Sequence, residues 1–330
     1  MYELRKDPLL GRWVAVAKES MAPEEYDIPS EKGSETSCIF CPGREKETPP
    51  EIARIAQDGK WLSRVIPNVK PVFQIEGELG RRGVGMYDKM NSVGANEIII
   101  ETPEHYRRPE DLGVEQVLRI VRTYKERVSD LERDGRMRYI LIFKNSGKGA
   151  GAIHTHPHSE IVATPIIPKR IKEELDSAKQ YYAYKERCIF CDILREELRL
   201  GERVISETRD FLAFSLFAPQ FPFEFWILPK KHHCAFQEIG AAEMEDLSLM
   251  LATVLKKMRR ILKDPPFNYV IHTAPNRIPR QNHWHTLGED FHWHLEIMPR
   301  LLRTSGFEWG SGFYILTTSP EDAAKYLREA

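Results

Sequence analysis

Long apolar stretches are missing from this 330-residue sequence, in which no run approaches the roughly 20 residues that a membrane-spanning helix needs. The opening residues, Met1-Tyr-Glu-Leu-Arg-Lys-Asp, lack the apolar core of a secretory signal. A cytoplasmic protein without membrane attachment is the expectation. Charge of one sign is not in excess either: 48 Lys and Arg stand against 49 Asp and Glu, a formal net charge of −1. That balance argues against nucleic acid or any other polyanion as the main partner. Cysteine is scarce, at five residues, and in a reducing compartment structural disulfides are not expected. What is present suits a soluble globular chain long enough for one large or two medium domains.

Four of the five cysteines form two identical tetrapeptides, Cys38-Ile39-Phe40-Cys41 and Cys188-Ile189-Phe190-Cys191. Cys234 is left over and reads as an inert, partly buried thiol. The repeat extends further. An apolar run, Ile98-Ile99-Ile100, then a Pro and His105 follow the first pair; Phe225-Trp226-Ile227-Leu228, then Pro229 and His232 follow the second. Each half continues with a helical stripe: Val114, Val117, Leu118, Val121, Val128 and Leu131 in one, Met244, Leu247, Leu251, Val254, Leu255 and Met258 in the other. A β-rich segment comes next (Tyr139 to Phe143; Phe267 to Ile271), then a loop, then His156-Pro-His158-Ser-Glu160-Ile or His292-Trp-His294-Leu-Glu296-Ile. This order predicts an α+β fold made of two similar halves, residues 1–170 and 171–330, with mainly antiparallel sheet and helices packed on it. Residues 163–187 read as the connector, and Ser319-Pro320 as a capped helix start.

A Cys-x-x-Cys turn supplies two ligands of a tetrahedral zinc site, and each half offers two histidines to complete it. The expected sets are Cys38, Cys41, His105 and His156, and Cys188, Cys191, His232 and His292, with zinc in both or another divalent metal in the second. His233 rivals His232, while reduced thiols or a redox disulfide are the competing reading of the pairs. Lone histidines such as His272 and His285 read as structural.

Side chains two apart on a strand share a face, so His156, His158 and Glu160 should project together, with Pro157 marking an edge or bulge. Near neutral pH an unprotonated imidazole can attack phosphorus and form a covalent intermediate. The preceding loop, Asn145-Ser-Gly-Lys-Gly-Ala-Gly151, could wrap backbone N–H groups around phosphate, although it lacks Walker spacing and a plain hairpin loop competes.

Cys-x-x-Cys, a distant His, Asn-x-Gly and His-Pro-His, duplicated, resemble the galactose-1-phosphate uridylyltransferase family of the histidine triad superfamily. So do Asp7-Pro-Leu-Leu-Gly-Arg-Trp13, Arg64-Val-Ile-Pro67-Asn68 and the block from Phe291 to Arg303. The resemblance implies that His158 is the nucleophile taking a uridylyl group from UDP-glucose, for delivery to galactose 1-phosphate or another hexose 1-phosphate in a ping-pong cycle. It places Asn145 and the loop to Gly151 at the phosphate, Phe40 and Asn68 near the base, and Phe313 at the sugar. Nucleotide sugar and sugar phosphate are the implied partners, and a homodimer is implied as well.

Four departures stand out. Glu160 replaces the family's Gln, and a carboxylate about 4 Å from a phosphate oxygen costs on the order of 4 kcal/mol at an effective dielectric near 20. Glu160, counted with His158 at the catalytic position, is therefore expected to be protonated, turned away or a sign of altered chemistry. Glu19-Ser20-Met21-Ala22-Pro23 lacks the two arginines of the family's Arg-x-x-Arg-Pro, and Ile153 replaces a Ser. Gly312-Phe313-Tyr314 stands in place of Gly-Tyr-Glu and looks closer to adenylyl-transferring relatives, the ADP-glucose and diadenosine tetraphosphate phosphorylases. A nucleotide-binding protein that has lost transfer and a zinc-stabilised structural protein are the readings from other classes. Catalysis is expected in the first half and support from the second.

Overall fold

The structure, a computed structural model, describes residues 1–28, 38–278 and 285–330. The first half contains β1 (Tyr2–Lys6), β2 (Trp13–Ala17), β3 (Ala53–Gln57), β4 (Lys60–Pro67), a small hairpin of β5 (Arg82–Val84) and β6 (Tyr87–Lys89), and β7 (Ala95–Ile100). Helix α1 (Val114–Leu131), β8 (Tyr139–Ser146) and β9 (His158–Thr164) complete it. Helices α2 (Lys169–Lys185) and α3 (Ile189–Leu200) lead to β10 (Val204–Glu207), β11 (Phe211–Ser215), β12 (Phe225–Pro229), α4 (Ala241–Ile261) and β13 (Phe267–His272). The chain ends with α5 (Leu287–Asp290), β14 (His294–Pro299), α6 (Gly306–Ser311), β15 (Tyr314–Leu316) and α7 (Pro320–Glu329).

Ten strands form one antiparallel sheet in the order β3-β4-β7-β9-β8-β13-β14-β12-β11-β10. Read inward from either edge, the order is the same five-strand unit, so the duplication in the sequence is a duplication in the fold. The units meet where β8 pairs with β13, with Asn268 opposite Asn145 and Ile271 opposite Ile142. The α+β architecture with mainly antiparallel sheet is as the sequence predicts.

The helical stripes explain the layering. On α1, Val117, Val121, Val128 and Leu131 are buried, and on α4 all six stripe residues are. The two helices pack against each other on one face of the sheet in a single apolar core. The start of α4 is fixed by Glu243, whose carboxylate accepts the Gly240 N–H at 2.7 Å. On the opposite face the two tetrapeptides lie over the strands: Phe40 packs with Trp61, Ile66, Ile98 and Ile100, and Phe190 with Phe214, Trp226, Leu228 and Phe291.

Three details differ from the sequence pattern. The connector is largely the helix α2, which buries Ile171, Leu175 and Ala178. β1 and β2, numbered with the first half, form a separate three-stranded sheet in which β2 pairs with β15 near the C-terminus. Pro157 lies just before β9, an interior strand, rather than at an edge. The capped start of α7 is as expected, with Ser319 Oγ accepting the Asp322 N–H at 3.1 Å. Among the described residues no helix is long and apolar enough to cross a membrane.

Trp293 points from between His292 and His294 into the helix-side core, with its ring 5.2 Å from that of Phe236 and 5.9 Å from that of Phe211. Replacing it by alanine should cost about 3–5 kcal/mol. Urea unfolding should show this as a lower midpoint at unchanged m-value.

Candidate active site and metal centres

Both predicted metal sets assemble. In each, the four ligand atoms lie within 4.8 Å of one another. Cys41 Sγ is 3.3 Å from His105 Nδ1 and 3.7 Å from His156 Nδ1, and Cys38 Sγ is 3.7 Å from His156 Nδ1. The edges of a tetrahedron around a zinc-sized ion bound by sulfur and nitrogen are about 3.6 Å, so the set fits such an ion as it stands. An outward ring nitrogen fixes the tautomer of His156. His156 Nε2–H donates to the Thr102 carbonyl at 2.7 Å, leaving Nδ1 with its lone pair toward the cysteines, and His105 Nε2 bonds Thr155 Oγ1 at 2.9 Å.

The second set repeats this geometry. Cys191 Sγ lies 3.3 Å from His232 Nδ1 and 3.6 Å from His292 Nδ1, and His232 Nε2–H donates to Gly288 O at 3.0 Å. Its cysteines sit at the start of α3. A hydrogen bond from Cys188 favours the Cys191 thiolate. His233, the rival ligand, turns away to Glu243 at 3.4 Å.

His158 opens β9 and is 4% exposed. Its Nδ1 donates to the His156 carbonyl at 2.7 Å, which leaves the Nε2 lone pair free. Burial pushes the imidazole down to about 4, with help from Lys144 and His154, so the ring is neutral near pH 7. Lys144 Nζ braces the strand from behind, donating to the His158 carbonyl at 3.2 Å while paired with buried Glu101. Phe40 closes one side, its ring 6.2 Å from that of His158. The loop from Gly147 to Gly151 joins β8 to β9. Gly147 and Gly151 take φ of +85° and +86°, and a side chain at Gly149 would meet Pro266 at 2.8 Å, so glycine is required there.

Glu160 is not turned away. Two positions along β9 it shares the His158 face, and its Oε2 accepts from Asn68 Nδ2 at 3.0 Å and Asn96 Nδ2 at 3.3 Å. His154, to which the sequence pattern assigned no role, belongs to the same cluster, with its ring 4.5 Å from Phe40 and 5.7 Å from His158. The alternation His154-x-His156-x-His158 was its signal. His156 itself lies before the strand and turns to the cysteines. Phe313 is elsewhere: it precedes β15 of the three-stranded sheet and faces Phe307, with ring centroids 6.2 Å apart.

The second half packs an indole where the first carries an aliphatic side chain. At the register of Ile98, which pairs with Glu160, β12 carries Trp226, which pairs with Glu296. The Trp226 indole stacks on His294 at 4.2 Å, and His294 is fully buried. Its other face stacks on His272 at 4.6 Å. Glu174, His272 and His294 form a third group able to hold an ion, unforeseen because α2, β13 and β14 each supply one member. His272 Nδ1 meets Glu174 at 2.8 Å and its Nε2 meets Glu296 at 3.3 Å. Burial opposes protonation of His272, but the two carboxylates outweigh it and lift the ring to about 9. His285 is exposed. Of the stretch from Ala274 to Asp290, residues 279–284 lie outside the described residues.

Residues 2–168 match the family model described as galactose-1-phosphate uridyl transferase, N-terminal domain, and residues 174–325 match the corresponding C-terminal domain. The chain is 34% identical over 334 residues to an ADP-glucose phosphorylase of Arabidopsis thaliana, covering 99% of this chain and 92% of that protein. It is 30% identical over 336 residues to a galactose-1-phosphate uridylyltransferase of Thermotoga maritima, covering 100% of this chain and 98% of that protein. Among solved structures, an Arabidopsis thaliana ADP-glucose phosphorylase with bound ADP-glucose superimposes with a TM-score of 0.84 at 33% identity, over 100% of this chain and 99% of that one.

Metal analysis of the purified protein should find one equivalent for each Cys/His set, and Cys41→Ser should remove one of them. Chelation should also lower the thermal midpoint. A separate outcome concerns His272. Its folded value of about 9 lies above the free value of 6.5, so the stability it contributes is complete below about pH 6.5 and is lost as pH rises through 9. The urea midpoint should fall across that window, and His272→Gln should flatten the fall.

Proposed function

The chain belongs to the galactose-1-phosphate uridyl transferase family, and from that premise we propose that it transfers a nucleotidyl group from a nucleotide sugar through a covalent intermediate on His158. The observation that carries this reading is the buried imidazole with Nδ1–H given to the His156 carbonyl and Nε2 left unprotonated. Nε2 attacks the phosphorus attached to the nucleoside, the bond from that phosphorus to the sugar-phosphate oxygen breaks, and sugar 1-phosphate leaves. An incoming phosphate oxygen then attacks the same phosphorus and the P–N bond breaks.

In this reading the loop from Asn145 to Gly151 receives the phosphates, and Phe40 and Asn68 lie by the nucleoside. Glu160 is held by Asn68 and Asn96 on the same face as His158. Zinc is the proposed ion of both Cys/His sets, because two thiolates and two imidazoles in a closed tetrahedron suit a structural site. The first set ties His156, whose carbonyl orients the nucleophile, to the Cys38–Cys41 turn. Its part is structural support, with no bond to the reacting phosphate. Phe307 and Trp309 are exposed on the segment leading to Phe313, which suits a homodimer in which that segment meets the partner's site. A cytoplasmic enzyme of nucleotide-sugar metabolism fits the whole.

Uridylyl transfer from UDP-glucose to galactose 1-phosphate is the reading that the family name carries. A second reading, adenylyl transfer from ADP-glucose, is favoured by 34% identity to the Arabidopsis phosphorylase, against 30% to the Thermotoga transferase.

Incubation with UDP-glucose or ADP-glucose, labelled at the phosphate next to the nucleoside, should leave label on the protein. Peptide mapping should find it on His158, and the sugar that labels faster identifies the base. Binding without label from either sugar would point to a protein that has lost transfer and would overturn the proposal.

A further inference from the structure

Asn145 can face a phosphate with either end of its amide, and the two ends have opposite consequences. Its NH₂ would donate to a phosphate oxygen, whereas its carbonyl would set lone pairs against an anion. A chain of hydrogen bonds from the second half decides between them. Arg300, directly after β14, donates through Nε to Asn268 Oδ1 at 2.5 Å. A guanidinium has donors only, so the acceptor it meets must be the oxygen, and the Asn268 amide is fixed. Both hydrogens of Asn268 Nδ2 are then used, one toward Asn145 Oδ1 at 2.7 Å and one toward the Ala150 carbonyl at 2.8 Å. The oxygen of Asn145 is thereby occupied, and its NH₂ is the end that remains for a ligand.

The surroundings hold this relay in place. Asn268 is 8% exposed and stands directly opposite Asn145 in the β8–β13 register. The Arg300 guanidinium lies over the Phe221 ring at 4.2 Å. The bond to Ala150 also anchors the glycine loop, so one side chain of the second half sets both the amide and the backbone of the proposed phosphate cradle.

We propose that Arg300 and Asn268 are positioning residues that present the NH₂ of Asn145 to a nucleotide phosphate, so that anion recognition by the first half is set by the second. The role deepens the nucleotidyl-transfer reading and rests on it for the identity of the ligand. Neither residue need touch the nucleotide.

The test is a mutant cycle read by calorimetric titration with ADP and with UDP. Arg300→Met frees the Asn268 amide to turn. Asn268→Asp offers only acceptors, so Asn145 must turn its NH₂ inward. Each should weaken binding about 10-fold, the scale of one hydrogen bond to a charged group. In an Asn145→Ala background each should weaken it by clearly less than in the wild type, because the part of the loss carried by Asn145 is already gone and only the Ala150 anchor remains. Variants are scored only if they keep the wild-type circular dichroism, and either one alone suffices to close a cycle. Losses that multiply in the double variants would show that Arg300 acts through its own charge, or that the carboxylate introduced by Asn268→Asp acts by repulsion, and would overturn the relay. Unchanged binding in both single variants would do the same. Labelling of His158 in the same proteins separates the two ideas: label with multiplying losses rejects the relay alone, and coupled binding without label rejects nucleotidyl transfer alone.

Discussion

The pairing of β8 with β13 is the contact on which the rest of the molecule depends. Each half has a sheet edge that would otherwise expose unpaired backbone groups, and joining the two edges satisfies both while running one apolar core beneath α1 and α4. The seam also carries polar side chains that a separate half could not complete. Asn268 crosses it to Asn145 and the glycine loop, and the Tyr269 hydroxyl meets that of Tyr124, which in turn reaches Glu101. Glu101 pairs with Lys144, the cation behind the His158 carbonyl. Because these groups are buried, removing any one partner leaves the next unsatisfied, and this keeps the His158 strand in one position.

The duplication makes the differences between halves informative. Both keep the cysteine turn, two imidazoles that face it and a His-x-His-x-Glu strand. They diverge at Ile98 and Trp226, residues at equivalent register. Ile98 offers no ring to His158, while the indole stacks on His294. His294 is further enclosed by His272 and Glu174, and Glu296 is bound by Arg170 and His272, whereas Glu160 is held by two neutral amides. The carboxylate of one histidine strand is thus held by neutral amides and that of the other by charged partners.

Much of this was legible in the chain itself, and the reason is local geometry. Cys-x-x-Cys closes within one turn, alternate residues of a strand share a face, and a helix stripe recurs every three to four residues, so ligand sets, the His158–Glu160 face and the α1 and α4 cores follow from short-range spacing. Repetition of the order then paired distant histidines with their cysteines. What spacing could not supply were contacts between elements whose separation in sequence carries no period. His154 against Phe40, the Glu174–His272–His294 group, the return of β1 and β2 to β15, and the closure of the second site by Trp226 all depend on which strand lies beside which. The sequence by itself therefore determined the α+β class, the repeat, the two Cys/His sets and the shared face of His158 and Glu160. Only the tertiary structure decided which histidine an indole covers, which way Glu160 faces and which end of Asn145 is available, because each depends on the partner that a buried polar or aromatic group finds across the sheet.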